Sequence, residues 1–226
     1  MSPLFPEAHA SRRHRSPYIG RATLNRAPMM ALALAGPLLI AAPALAGTDR
    51  VSIGSLDFAG SGCAPQGSLT GRLVDFNQDG FPGGLSLSFS SYVARQGPGV
   101  SIVERRRNCN LVLSLNLPRG WQYAIRSVRY HGVASLPRSV SGLQQSTYQY
   151  PFASQAATLE ATLRGPLMAR FQRQDRLQPP EWVWSPCNRA TPLNLRTQIL
   201  LTGSRGQFAS LRAARHSYGL VWRRCT

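Results

Sequence analysis

The sequence contains no lysine, and acidic residues are scarce. All 26 basic residues are arginine, against nine acids, for a formal charge of +17. The sequence has no C-x-x-C motif and no histidine near a cysteine, which argues against a structural zinc site. No G-x-S-x-G elbow of an α/β-hydrolase is present. After residue 46, imidazole comes only from His131 and His216. These absences leave no recognisable catalytic set.

Long apolar runs are also missing, except near the N-terminus. An arginine-bearing stretch precedes an apolar run at residues 27–44, and Ala44-Leu45-Ala46 has the small-x-small pattern of a signal-peptidase site. Pro37 and Pro43 interrupt the run, which is too short to span a bilayer comfortably. We predict that residues 1–46 are a removable signal peptide that leaves no membrane anchor, and that residues 47–226 form one domain.

The four cysteines all follow the predicted leader: Cys63, Cys109, Cys187 and Cys225. An even number in an exported chain favours two disulfides and a secreted, extracellular or periplasmic location. Three pairings are possible. We favour Cys63 with Cys109, which share the N-terminal half, and Cys187 with Cys225, which would tether the C-terminal strand.

Glycine, proline and serine separate short segments that alternate apolar with polar or small residues, a pattern typical of half-buried strands. The clearest segments are residues 69–74, 85–92, 111–117, 123–130, 193–201 and 218–222. The best helical candidate is residues 167–177, although a helix is not the favoured interpretation there. We predict an all-β fold, a disulfide-stapled antiparallel β-sandwich.

Seven short motifs occur in a characteristic order along the chain. They are Gly60-Ser61-Gly62-Cys63, Arg107-Asn108-Cys109, Pro118-Arg119-Gly120-Trp121-Gln122, Tyr130-His131-Gly132-Val133-Ala134, Gly165-Pro166, Trp184-Ser185-Pro186-Cys187 and Trp222-Arg223-Arg224-Cys225. In this order they resemble the family called domain of unknown function 4360. The resemblance implies a secreted four-cysteine protein and carries over no catalytic residue. The sequence departs from the family pattern at residues 212–215, where arginines replace an expected acidic residue.

The segment Asp75-Phe76-Asn77-Gln78-Asp79-Gly80 begins like a calcium-binding loop. Asp75, Asn77 and Asp79 would be the metal ligands. The twelfth position is Ser86 instead of the bidentate glutamate, so the match is partial. The same residues suit a hairpin connection, which we favour. We therefore expect no cofactor, with calcium as the candidate exception.

Two further groups are candidate ligand-binding residues. Trp182 and Trp184 alternate, so their rings would project from one face of a strand and could stack on sugars, although packing in the core beside Cys187 is the favoured interpretation. Arg105, Arg106 and Arg107 form the longest basic run; with Arg223 and Arg224, which also precede a cysteine, they would form an anion site if the two groups met. The alternative for the arginines is a solvated surface.

These features favour a noncatalytic extracellular or envelope-associated binding module for a glycan or another anionic polymer. We expect a monomer, and no nucleic-acid partner outside the cell. One alternative is a secreted hydrolase with an unrecognised acidic site, and another is a small secreted effector. The enzyme would need converging carboxylates in a cleft, which the sequence does not reveal.

Overall fold

The computed structural model describes residues 50–226; the leader predicted at residues 1–46 lies outside the described residues. Eleven strands dominate the described part of the chain. They are β1 (Ser52–Ala59), β2 (Leu69–Phe76), β3 (Pro82–Phe89), β4 (Val93–Gln96), β5 (Arg106–Asn116), β6 (Trp121–Leu136), β7 (Val140–Gln149), β8 (Ala157–Arg164), β9 (Leu167–Arg176), β10 (Leu193–Gly203) and β11 (Ala209–Arg224). Two short 3₁₀ turns cover Ile102–Arg105 and Pro179–Glu181.

The strands form two antiparallel sheets that share one apolar core, so the predicted β-sandwich is confirmed. The five-stranded sheet has the order β1-β5-β10-β7-β8. The six-stranded sheet has the order β2-β3-β11-β6-β9, and β4 also pairs with β11. Because strand order differs from chain order, each sheet brings together residues from distant parts of the sequence.

Residues 167–177 contribute strand β9 and no helix. This strand pairs with β6 over ten positions, from Leu136 opposite Leu167 to Ser127 opposite Arg176. Along β9 only Phe171 is buried, because β9 lies at the edge of its sheet. Within residues 50–226, no helix has the length and apolar character needed to cross a membrane.

Six fully buried tyrosines lie in the core: Tyr92, Tyr123, Tyr130, Tyr148, Tyr150 and Tyr218. Several of their hydroxyls bridge the sheets. Tyr130 on β6 donates to the carbonyl oxygen of Leu159 on β8 at 2.8 Å, and the Tyr218 hydroxyl lies 2.8 Å from that of Ser146 on β7. A buried hydroxyl without a partner is costly, so these bonds favour one alignment of the sheets.

The two disulfides join Cys63 to Cys109 and Cys187 to Cys225, the pairing favoured from the sequence. The first ties the turn after β1 to β5. The second ties the segment after the second 3₁₀ turn to the residue that follows β11. Each closes a loop of similar length, with sequence separations of 46 and 38, and loop entropy gives each a stabilisation of about 4 kcal/mol.

Candidate functional site

The outer surface of the six-stranded sheet is rich in arginine. We call the outward side chains of this sheet the arginine face. Alternation along each strand, together with the strand register, determines which side chains share the face. Apart from Arg223, whose guanidinium packs on Trp184, its arginines are Arg72, Arg95, Arg126, Arg129, Arg170, Arg176, Arg212 and Arg215.

These arginines lie in successive rows across β9, β6 and β11. In the first row Arg129 lies between Gln174 and Ser217. In the next row the neighbours are Gln172, His131 and Arg215, and the row after that contains Arg170, Val133 and Arg212. From Ser127 to Val133 along β6 the face extends about 20 Å, given the rise of a β-strand. An extended polymer would therefore meet several arginines in succession.

Few acidic partners neutralise these cations. The only salt bridge in the described part of the chain joins Arg107 to Glu104, and neither residue is on the arginine face. Arg212 donates instead to the carbonyl oxygen of Ser90 at 2.9 Å. Partial burial, followed by the charges of Arg215 and Arg129, lowers the pKa of His131 on this face. Burial is the larger cause, and the two arginine charges act in the same direction.

The opposite side of the sandwich has a different chemistry. The outer surface of the five-stranded sheet, which we call the amide face, carries amide and hydroxyl groups that bond to one another. Gln198 donates to Gln145 at 2.9 Å, and the hydroxyls of Thr147 and Thr158 are 3.0 Å apart. Arg106 and Arg196 also lie on the amide face, where they donate to Gln198 and Asn110, so this face has fewer arginines than the arginine face.

A groove of 480 Å³ opens at one end of the arginine face. Glycines of β3 and β11 lie along it, among them Gly84 and Gly219. Arg126, Arg129 and Arg176 also line it, and Asp75 is the only acid among its described lining residues. The groove therefore combines a floor with few side chains and a positively charged wall.

Trp182 also lines this groove, as one of the two predicted tryptophans. Its indole Nε1 donates to the carbonyl oxygen of Leu177 at 3.1 Å, which fixes the ring orientation. Trp184 is placed differently: it is half-buried, and the Arg223 guanidinium lies 3.9 Å from its ring centroid. Neither ring belongs to the buried core, so the favoured prediction of core packing is wrong. They lie in an extended segment outside the strands.

The predicted arginine run does not form one site. Arg105 donates to Gln96, Arg106 donates to Gln198 on the amide face, and Arg107 pairs with Glu104. Arg224 lies beside Asn116, at the far end of β5 from Arg106. Ten residues of strand separate those ends, a distance of about 33 Å. The two basic groups therefore do not meet, because they lie at opposite ends of the sandwich.

The candidate calcium loop spans the end of β2 and most of the turn that leads to β3. The side-chain Oδ1 of Asn77 accepts a hydrogen bond from the backbone N–H of Phe81 at 2.8 Å, as in a hairpin. Asp75 adopts a left-handed conformation with φ of 57°. Within residues 50–226, no group of three or more acidic, histidine or cysteine side chains is placed to hold a metal ion. The calcium site at Asp75, Asn77 and Asp79 remains a prediction.

The arginine face was missed from the sequence, although a signal was present. Residues 170, 172, 174 and 176 are arginine or glutamine at alternate positions. Arg129 and His131 are likewise two positions apart. Alternate spacing places side chains on one face of a strand. The longest run of consecutive charges, residues 105–107, is not on this face.

Comparison with known proteins gives a family and a weak structural likeness. The chain is 35% identical over 156 residues to an uncharacterized secreted protein of Arthroderma benhamiae; the match covers 69% of this chain and 61% of that protein. The chain thus spans less than two thirds of the length of this relative.

Among solved structures, it is similar to the carbohydrate-binding module TmCBM61 in complex with β-1,4-galactotriose (TM-score 0.28, 8% identity, 78% of this chain and 92% of that one). It is also similar to a structure of black queen cell virus (TM-score 0.22, 10% identity, 99% and 95%). Likenesses this weak carry no argument about function. The family model described as "Domain of unknown function (DUF4360)" matches residues 49–225, and the chain therefore belongs to this family.

Proposed function

We propose that this protein is an exported, noncatalytic binding module that holds an anionic polysaccharide along its arginine face. The observation that carries the proposal is the concentration of eight arginines on one sheet surface. In the groove at the end of this surface, Asp75 is the only acid among the described lining residues. Arginine binds carboxylate and sulfate groups through paired hydrogen bonds. A row of such groups would match a polymer that carries repeated negative charge.

Export is supported by independent features. Two disulfides are typical of proteins that fold in an oxidising compartment, and the similar fungal protein is described as secreted. The predicted leader agrees with both. Acidic polysaccharides are anionic polymers that an exported protein can meet outside the cell.

The groove is better suited to binding than to hydrolysis. Most glycoside hydrolases use two carboxyl groups on opposite sides of the scissile bond. Among the described residues that line the groove, Asp75 is the sole carboxylate. A bound chain would therefore be held without the pair of carboxyl groups that this hydrolysis uses.

The test compares two variants that remove the same charge from opposite sheets. Arg170→Gln/Arg212→Gln changes the arginine face, and Arg106→Gln/Arg196→Gln changes the amide face as the matched control. Retention is measured by affinity electrophoresis in gels that contain polygalacturonate, dextran sulfate or neutral dextran. We expect the first pair to weaken retention on the anionic polymers at least about tenfold, equivalent to about 1.4 kcal/mol.

The control should retain most of the affinity, and neutral dextran should retain neither protein. Equal losses in both variants would show that net charge alone causes retention. Failure of the wild-type protein to bind either anionic polymer would overturn the proposal.

A further inference from the structure

Two tightly packed glycines form part of the floor of the groove. A Cβ built on Gly84 would lie 3.0 Å from the carbonyl oxygen of Tyr218 and 3.1 Å from Val74. A Cβ on Gly219 would lie 2.5 Å from the Ser127 hydroxyl oxygen. A side chain at Gly84 would require its neighbours to shift slightly, and one at Gly219 would require the Ser127 side chain to move. Gly84 is buried and Gly219 is half-buried, and neither adds a side chain that would fill the groove.

Charged and amide groups surround this floor on several sides. Arg129 and Arg176 come from β6 and β9, Asp75 comes from the end of β2, and Gln174 and Gln178 also line the groove. The cations suit a carboxylate, whereas amides and a carboxylate suit sugar hydroxyls. The groove volume, 480 Å³, lies within the range of about 300–1,000 Å³ typical of small-ligand sites.

Trp182 supplies an aromatic surface beside these polar groups. Its segment is held in place on both sides: Leu177 N–H donates to the Arg126 carbonyl oxygen at 2.9 Å, and Ser185 N–H donates to the Tyr123 carbonyl oxygen at 2.8 Å. The Cys187–Cys225 disulfide follows two residues later. The ring is therefore positioned before any ligand arrives, which lowers the entropic cost of binding.

We propose that this groove is a subsite for one uronic-acid ring of the bound polysaccharide. The apolar face of the pyranose packs on Trp182, its carboxylate pairs with Arg129 and Arg176, and its hydroxyls bond to Gln174, Gln178 and Asp75. This inference rests on the proposed function and adds the sugar class. The remainder of the arginine face binds neighbouring acidic residues of the same chain.

A nucleic acid fits the groove less well. Proteins that hold single strands use several aromatic rings for successive bases, whereas Trp182 is the one aromatic ring besides Tyr218 among the described lining residues, and Tyr218 is buried. The observations therefore favour a carboxylated sugar over a polynucleotide.

The experiment separates stacking from charge recognition. Calorimetry measures binding of oligogalacturonate and of its methyl ester, in which the carboxylate is capped. Trp182→Ala should weaken both ligands by at least about tenfold, since each pyranose face stacks alike. Arg129→Gln/Arg176→Gln should weaken only the free acid, so that the ratio of the two affinities approaches one. Phe208→Ala, an exposed aromatic outside the groove, is the control and should bind like the wild type.

Each outcome distinguishes the subsite from the wider proposal. If Trp182→Ala binds oligogalacturonate as tightly as wild type while Arg170→Gln/Arg212→Gln weakens polymer retention, the subsite is wrong and the binding module stands. If wild type prefers the methyl ester, or if a single-stranded oligonucleotide competes more strongly than oligogalacturonate, the sugar class is wrong. Circular dichroism and Trp182→Phe, which keeps an aromatic ring, show whether a loss reflects misfolding; Trp182→Phe should retain most of the affinity.

Discussion

His216 should make the protein less stable in mild acid. This side chain is fully buried on β11, and its ring lies 4.8 Å from that of Tyr130 and 4.9 Å from that of Phe89. Its Nδ1 is 3.4 Å from the Tyr218 hydroxyl, and its Nε2 has no hydrogen-bond partner among the described residues. The site therefore offers little that would stabilise an imidazolium.

Burial, with a smaller contribution from His131, lowers the pKa of His216 from 6.5 to about 3. The unfolded chain takes up a proton below pH 6.5, whereas the folded protein resists protonation until about pH 3. Stability from this histidine is complete above pH 6.5 and is lost as pH falls from 6.5 to 3. At pH 4 the loss is about 3 kcal/mol, a large part of the roughly 5–15 kcal/mol of a typical domain.

The nearby titratable groups do not obscure this effect. Tyr92, Tyr130 and Tyr218 surround the ring, and burial raises the pKa of each phenol well above its usual value. They stay neutral throughout the acid range. His131 lies on the arginine face, where partial burial and two arginines lower its pKa. Its contribution has the same sign as that of His216 and is smaller, because its ring is only partly buried.

The assay is urea unfolding of the oxidised protein at pH 7.5 and pH 4, for wild type, His216→Phe and the surface control His131→Gln. Phenylalanine keeps a ring among the aromatic neighbours but cannot titrate. We expect wild type to lose about 3 kcal/mol more than His216→Phe between the two pH values. His131→Gln should behave nearly like wild type. An equal pH dependence in wild type and His216→Phe would refute the reasoning.

Three further predictions concern stability and metal binding. Replacing Cys187 and Cys225 with serine should lower the free energy of unfolding by about 4 kcal/mol and weaken oligogalacturonate binding, because the disulfide anchors the Trp182 segment; denaturation and calorimetry check both. Gly132→Ala should cost about 1–3 kcal/mol, since its Cβ would collide with the Arg212 carbonyl oxygen. Alanine at Gly206, whose Cβ would meet only the Ser204 hydroxyl oxygen at 3.9 Å, should cost much less. Millimolar calcium should leave the melting temperature unchanged, because Asn77 Oδ1 is already bonded to Phe81 N–H; a calcium-dependent rise would establish the metal site instead.

Much of the fold could be predicted because its signals are local. Alternation along residues 123–130 and 193–201 predicted strands, and these segments lie within β6 and β10. An even number of cysteines indicated two disulfides. Side-chain alternation is a property of each strand by itself, so it is visible without knowing the partner strand.

Some placements depended on contacts that the sequence does not display. Arg106 has a partner on β10, 92 residues away, and Trp184 is covered by Arg223 near the C-terminus. Residues 105–107 therefore diverge although they are consecutive. Polar side chains on β9 resemble those of an exposed helix, and only pairing with β6 makes this segment a strand.

By itself the sequence determined the β class, the positive charge and the features of an exported chain, because composition and alternation are local. Only the tertiary structure decided where the charge lies. The groove unites Asp75, Arg129, Arg176 and Gly219, which lie on four strands and are separated by up to 144 residues of chain. Strand order and register bring them together, and both arise from packing and hydrogen bonding between distant segments, which no local pattern encodes.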